Sequence, residues 1–322
     1  MTARTRRGGP EAREASMVPP AEFRSYYGRP VIKEPVWSAP GVAGYLFFGG
    51  LAGASSALAG AAGLADRPEL ARAAKTAAAG AISLSVVALV RDLGRPARFL
   101  NMLRVFKPTS PMSVGSWLLA AYGPAAGAAA ASAVTGRLPR IGRAATATAA
   151  ALGPAVAAYT AAVLSDTAVP AWHEAHRELP YVFVGSAATA AGGLGLVLVP
   201  PERAEPARRL ALLGAAGELL AKSMLIRRLG PGARPYQSGR AGDLMQAGEV
   251  LTAGGLAAAA LGGRSRVLAV AAGTALVTAS ALTRFGIFHA GRESARDPGY
   301  TIGPQRARMG HAQQAEDSRD TP

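Results

Sequence analysis

Residues 41–64 read GVAGYLFFGGLAGASSALAGAAGL and carry no charged side chain. Coiled as a helix, about 20 such residues cross the roughly 30 Å hydrocarbon core of a bilayer. A helix of this length in a soluble bundle would show a polar stripe at the helical period. This stretch shows none, and neither does 266–283. The chain therefore reads as embedded in a membrane.

Working outward, comparable apolar blocks recur at about 41–64, 73–90, 113–134, 144–165, 180–200, 207–227, 242–262 and 266–288. Short segments rich in Arg, Pro and Gly separate them. The expected fold is all-α, a polytopic membrane helix bundle of about eight transmembrane helices. Ala and Gly dominate these blocks, so several helices need their neighbours to insert stably. Small residues four apart, such as Gly49 and Gly53, predict close helix crossings. The bundle is expected to occupy residues 25–300, between a disordered basic tail over 1–24 and a second disordered tail over 301–322. Arg4, Arg6 and Arg7 precede no apolar run before position 41, so no cleavable signal peptide is expected.

The chain has 322 residues, a net charge of +15, no cysteine and four histidines. Without thiolates it holds no iron–sulfur cluster, and four scattered histidines supply no facing haem ligands, so neither haem nor Fe–S is expected in this chain. The basic residues cluster at the ends of apolar blocks and form no stripe with aromatics, which argues against nucleic acid. Of the 35 Lys and Arg, 23 fall on the side of the N-terminus and 11 on the other, with Lys222 inside a block. The positive-inside rule then expects both termini in the cytoplasm and the chain in the cell membrane.

Ionisable residues within the spans are the first functional candidates, because burying them in lipid is costly. Glu218 and Lys222 are four residues apart and share a helical face, with Glu first, the favourable order. Glu249 lies in the next span. With His173 at the membrane edge, these are candidates for proton transfer, and the plainer reading is a buried ion pair. His173 and His176 also have a spacing that permits metal ligation, although interfacial histidines more often cap helices or relay protons; no metal is expected. A second group shares one depth at the N-terminal side: Tyr45 opens the first span, Asp92 ends the second, Tyr159 and Asp166 end the fourth, and Arg284 closes the eighth. A phenol and a carboxylate there could hydrogen-bond and deprotonate a quinol hydroxyl.

Four pieces resemble a known family: YYGRPVIKEPVW, YLFFGGLAGASS, RDLGRPARFLNMLRVFKPTSPMSVGSW and DTAVPAWHEAHRELPYVFVGSA. In order and in content they resemble the NrfD/PsrC family, the membrane subunits of polysulfide reductase, nitrite reductase and related formate dehydrogenase complexes. The similarity runs over roughly residues 25–300. It implies a subunit, not a complete catalyst, that anchors a ferredoxin-like 4Fe-4S subunit and a molybdopterin catalytic subunit. It also implies a haem-free site for menaquinone or ubiquinone, a diffusible substrate. The site's level corresponds to Tyr45, Asp92, Tyr159 and Asp166. In founding members the docking end faces outward, whereas the charge bias here expects it inside, with a cytoplasmic partner. Arg95, Arg98, Arg104 and Lys107 on that end are candidates for docking the partner. The competing reading is a transporter or channel that uses the intramembrane Glu and Lys residues, and a third is an anchor without quinone chemistry.

Overall fold

The computed structural model describes residues 31–93, 97–261 and 265–303. Among these the architecture is a bundle of eight long helices: α1 (Gly44–Leu64), α2 (Pro68–Asp92), α3 (Pro111–Thr135), α4 (Pro139–Ser165), α5 (Leu179–Leu198), α6 (Glu205–Leu229), α7 (Gly239–Leu261) and α8 (Arg266–Arg296). The prolines mark their starts. Pro68, Pro111 and Pro139 open α2, α3 and α4, where a missing N–H costs nothing. Gly136, with φ of 70°, ends α3 in the left-handed conformation that a glycine adopts without strain.

Seven of the eight helices are long and apolar enough to cross a membrane. The exception is α6, which is as long but carries Glu218, Lys222 and flanking arginines. Glu218 and Lys222 are covered from α5 and by Thr283 of α8, so the block expected at 207–227 forms its helix although its charges lower its mean apolarity. The eighth helix also departs from expectation. It runs to Arg296, about two turns beyond the apolar block, and thereby brings Arg292 and Arg296 to the N-terminal segment.

Successive helices run antiparallel, and side chains tie the two ends of the bundle separately. At the end nearest the N-terminus, Ser38 bonds Asp92, Glu34 bonds Arg292 and Arg296, and Glu178 bonds Arg228. At the far end, Arg203 pairs with Glu69, and Arg266 donates to the carbonyls of Leu196 and Val199. Helix α1 is the hub: 78% of its spanning stretch is buried, against 28% for α2, and it packs on α2, α4 and α5. Close approach is built from glycine. A Cβ on Gly53 of α1 would lie 2.3 Å from the carbonyl oxygen of Gly153 of α4, so the two backbones touch where only hydrogen fits.

Candidate functional site

At the N-terminal end, α1, α2, α3 and α4 enclose a cavity of about 120 Å³. Tyr45, Asp92 and Tyr159 line it together, with Trp37, Met102 and Leu119 among its apolar walls. Three of the four residues expected at this level therefore converge, although they come from three helices. Asp166 does not. It follows the last turn of α4 as an exposed side chain outside the cavity.

The two tyrosine hydroxyls hydrogen-bond to each other across 114 positions of sequence. Tyr45 is held from below, because Ser85 of α2 donates to its carbonyl at 3.1 Å. Tyr159 is held from the side: its ring lies so close to Gly115 of α3 that a Cβ there would fall 2.3 Å from Cε2. Asp92 sits at the rim. Its Oδ1 accepts from the backbone N–H of Ser38 at 3.2 Å and from the Ser38 hydroxyl at 2.9 Å. The same hydroxyl accepts from Gly41 N–H at 3.1 Å, capping the helical turn Ala39–Ala43 that leads into α1.

Residues 31–38 thus form a strap across the end of the bundle, and its fastenings were not evident from the sequence. Glu34 accepts from Arg292 Nε at 2.6 Å and from Arg296 Nη2 at 2.9 Å. The guanidinium groups of Arg296 and Arg292 hold the Glu34 carboxyl below its ordinary value. Trp37 stacks on Trp172, centroids 5.8 Å apart. Trp172 is wholly buried, donates to the Ile287 carbonyl at 2.8 Å and lies against Gly291. Both tryptophans lie in stretches that read as family-like, and aromatic residues at the membrane boundary were the available signal. Nearby, Tyr236 donates to the Ala171 carbonyl at 2.7 Å, and burial raises its phenol. Arg228 holds the Glu178 carboxyl low.

His173 is exposed and plays a capping part. Its Nδ1 lies 3.1 Å from the Ser165 carbonyl oxygen, which can only accept, so the proton sits on Nδ1. His176 makes the same kind of contact to the His173 carbonyl at 3.0 Å. No cluster of three metal-ligating side chains occurs among the described residues.

The segment between α2 and α3 forms the outer surface beside the cavity. Arg98, Arg104 and Lys107 are exposed there, and Arg95 lies outside the described residues. Apolar side chains stand among them: Leu100, Val105 and Phe106 are each more than half exposed. Phe106 meets Trp117 edge-on at 6.3 Å, and Ser113 and Trp117 donate to the Val105 carbonyl. The surface is therefore shaped by α3 and is apolar at its centre as well as basic, which the charge pattern alone did not reveal.

Glu218 and Lys222 form a buried ion pair of 2.8 Å at the middle of α6. Thr283 of α8 bridges it, accepting from Lys222 Nζ at 2.9 Å and donating to Glu218 Oε1 at 2.8 Å. Arg284, expected to close the last span, is instead 1% exposed inside α8, because that helix continues for three more turns. Its guanidinium lies 3.7 Å over the Phe183 ring and donates to the Phe183 carbonyl at 2.6 Å. Glu249 is exposed and lines a second cavity, of about 480 Å³, between α6 and α7.

Compared with known proteins, residues 31–209 match the profile of the family described as Polysulphide reductase, NrfD. The match spans α1 to α5 and ends within the first turns of α6, so it includes every residue of the smaller cavity and none of Glu218, Lys222 and Arg284. No curated protein matches the chain.

Proposed function

The chain belongs to the NrfD polysulphide reductase family, and we propose that it is the quinone-reactive membrane anchor subunit of a multi-subunit oxidoreductase. Electrons would pass between iron–sulfur clusters of a ferredoxin-like partner and the membrane pool of menaquinone or ubiquinone. A molybdopterin subunit would carry the substrate chemistry, so whether the substrate is formate, polysulfide or another small oxoanion is decided by that other chain. The observation that carries this reading is the pair of tyrosine hydroxyls, with a carboxylate at the rim, on the wall of an otherwise apolar cavity at the bundle end.

The residues fit such a ligand. An apolar cavity of about 150 Å³ holds one benzene molecule, and the cavity of about 120 Å³ is near that size. Met102 and Met112 line it with flexible thioethers that yield to a larger ring. Tyr45 and Tyr159 then supply hydroxyl donors to a quinone carbonyl, at a cost of only their mutual bond. Asp92, at the rim and half-buried, is placed to pass a proton to or from water once it gives up Ser38. The exposed Arg98, Arg104 and Lys107 around Val105 and Phe106 suit the partner, with a basic rim and an apolar centre. The excess of positive charge on this end supports cytoplasmic termini, and with them a cytoplasmic partner.

The test is purification with the co-assembling subunits, followed by assay of quinone reduction. An intact complex with normal clusters whose quinone activity survives both Asp92→Asn and Tyr159→Phe refutes the site. Full activity with soluble acceptors but none with quinones, and no quinone bound, leaves only an anchor.

A further inference from the structure

The larger cavity belongs to a different part of the molecule. It lies where α6 and α7 diverge, bounded at the N-terminal end by the turn that contains Tyr236 and Gln237. Its volume of about 480 Å³ corresponds to roughly sixteen waters at the liquid's share of about 30 Å³ each. Apolar cavities of this kind stay dry, whereas polar ones hold water. This one has mostly apolar walls, but Lys222, Ser223, Arg227, Gln237, Gln246 and Glu249 also line it and give water the polar partners it needs.

Its inner wall carries the buried charges. Lys222 is 3% exposed and faces the cavity, while Glu218 behind it is fully buried. The hydrogen bonds between them point one way, from the Lys222 ammonium to the Thr283 hydroxyl and from that hydroxyl to Glu218 Oε1. Glu218 Oε2 has no partner among the described residues, and neither do Nε and Nη1 of Arg284. Arg284 is itself 1% exposed and adjoins Thr283 in α8, so two buried cations and one carboxylate occupy this part of the bundle. Such an excess at mid-bundle is expensive unless water reaches it or a proton moves through it. Arg284 also packs against Gly50 of α1, five residues along that helix from Tyr45, or about 7.5 Å of rise. All of these charged residues lie outside the stretch matched by the family.

We propose that the cavity between α6 and α7 is an aqueous path that brings protons from the N-terminal end of the bundle to Glu218. The step balances. Lys222 passes a proton to the Thr283 oxygen as the Thr283 proton moves to Glu218 Oε1, and a hydronium in the cavity then restores the Lys222 ammonium. The net change is one proton taken from water and held by Glu218. The use of that proton at the smaller cavity rests on the quinone reading; the aqueous path does not.

The chain contains no cysteine, so single cysteines can be placed in an otherwise native protein. In membranes, Ser223→Cys and Gln246→Cys should react with a membrane-impermeant cationic methanethiosulfonate at least about tenfold faster than Leu213→Cys and Leu220→Cys on the outer face of α6, because only hydrated thiols ionise to the reactive thiolate. Equal rates overturn the proposal and mean that lipid or a partner's helix fills the cavity. A second measurement uses the whole complex. Glu218→Gln should lose proton uptake from the N-terminal side during quinone turnover while bound quinone is unchanged; unchanged uptake overturns the relay. A native complex that binds no quinone would refute the function proposed above and leave the accessibility result standing.

Discussion

Removing one hydroxyl from the Tyr45–Tyr159 pair separates the stability of the smaller cavity from its chemistry. Tyr45 is 9% exposed, and Tyr159 is the hydrogen-bond partner of its hydroxyl. Tyr159→Phe strands that buried hydroxyl, which costs about 1–3 kcal/mol. Tyr45→Phe strands the hydroxyl of the less buried Tyr159, where water compensates in part, and costs about 1 kcal/mol or less. The double variant removes both partners without creating an orphan, so it should be nearly as stable as the native chain, with a coupling of about 1–2 kcal/mol. Reversible unfolding in mixed micelles, followed by tryptophan fluorescence, measures all four proteins. Ligand binding should follow a different order. Each hydroxyl that donates to a carbonyl is worth about 0.5–1.5 kcal/mol, or about two- to twelvefold in affinity. The double variant should therefore be the most native-like in stability and the weakest in quinone affinity. Additive destabilisation would refute the hydrogen-bonded pair, and native quinone affinity in the double variant would refute its role in binding.

Other perturbations test other parts. Glu34→Gln should free the strap and cost about 1 kcal/mol or less, as exposed ion pairs do, with a change in the fluorescence of the stacked Trp37 and Trp172. Because its arginine partners lower the Glu34 carboxyl in the folded state, the native contribution is present above the unfolded value and is lost as pH falls through the folded one; the Gln variant should show no such loss. Lys222→Met leaves Glu218 buried without its bonded cation and should cost about 3–5 kcal/mol in detergent unfolding, whereas Lys222→Met with Glu218→Leu should recover part of it, Arg284 staying buried. Arg98→Glu with Arg104→Glu should prevent co-purification of the soluble subunits while membrane insertion persists, and unchanged assembly would leave these residues a role in topology alone.

The bundle was legible because lipid makes a uniform demand: a run of about 20 apolar residues signals a span wherever it falls. The convergence of Tyr45, Asp92 and Tyr159 was legible for a related reason, since residues at corresponding span ends share a depth. Asp166 shows the limit of that argument, because depth does not say which way a side chain points. Arg284 shows another. Apolarity stops near 288, but α8 continues because Arg292 and Arg296 find Glu34, and the sequence does not display a partner 258 residues away. Helix α6 was legible as a block, but not how it carries its charges: Thr283 and Lys222 offset the cost of Glu218 from inside the protein.

The strap also sets an order of events. Its two arginine anchors lie at the end of the last helix, so Glu34 waits through the synthesis of all eight spans before it can be fastened. Until then Trp37 has no fixed seat beside Trp172, and the rim at Asp92 stays unfinished. A chain stopped before Arg292 would keep every helix of the smaller cavity yet lack its closing edge. The strap, made before any helix of the bundle, is thus fastened only after the last one.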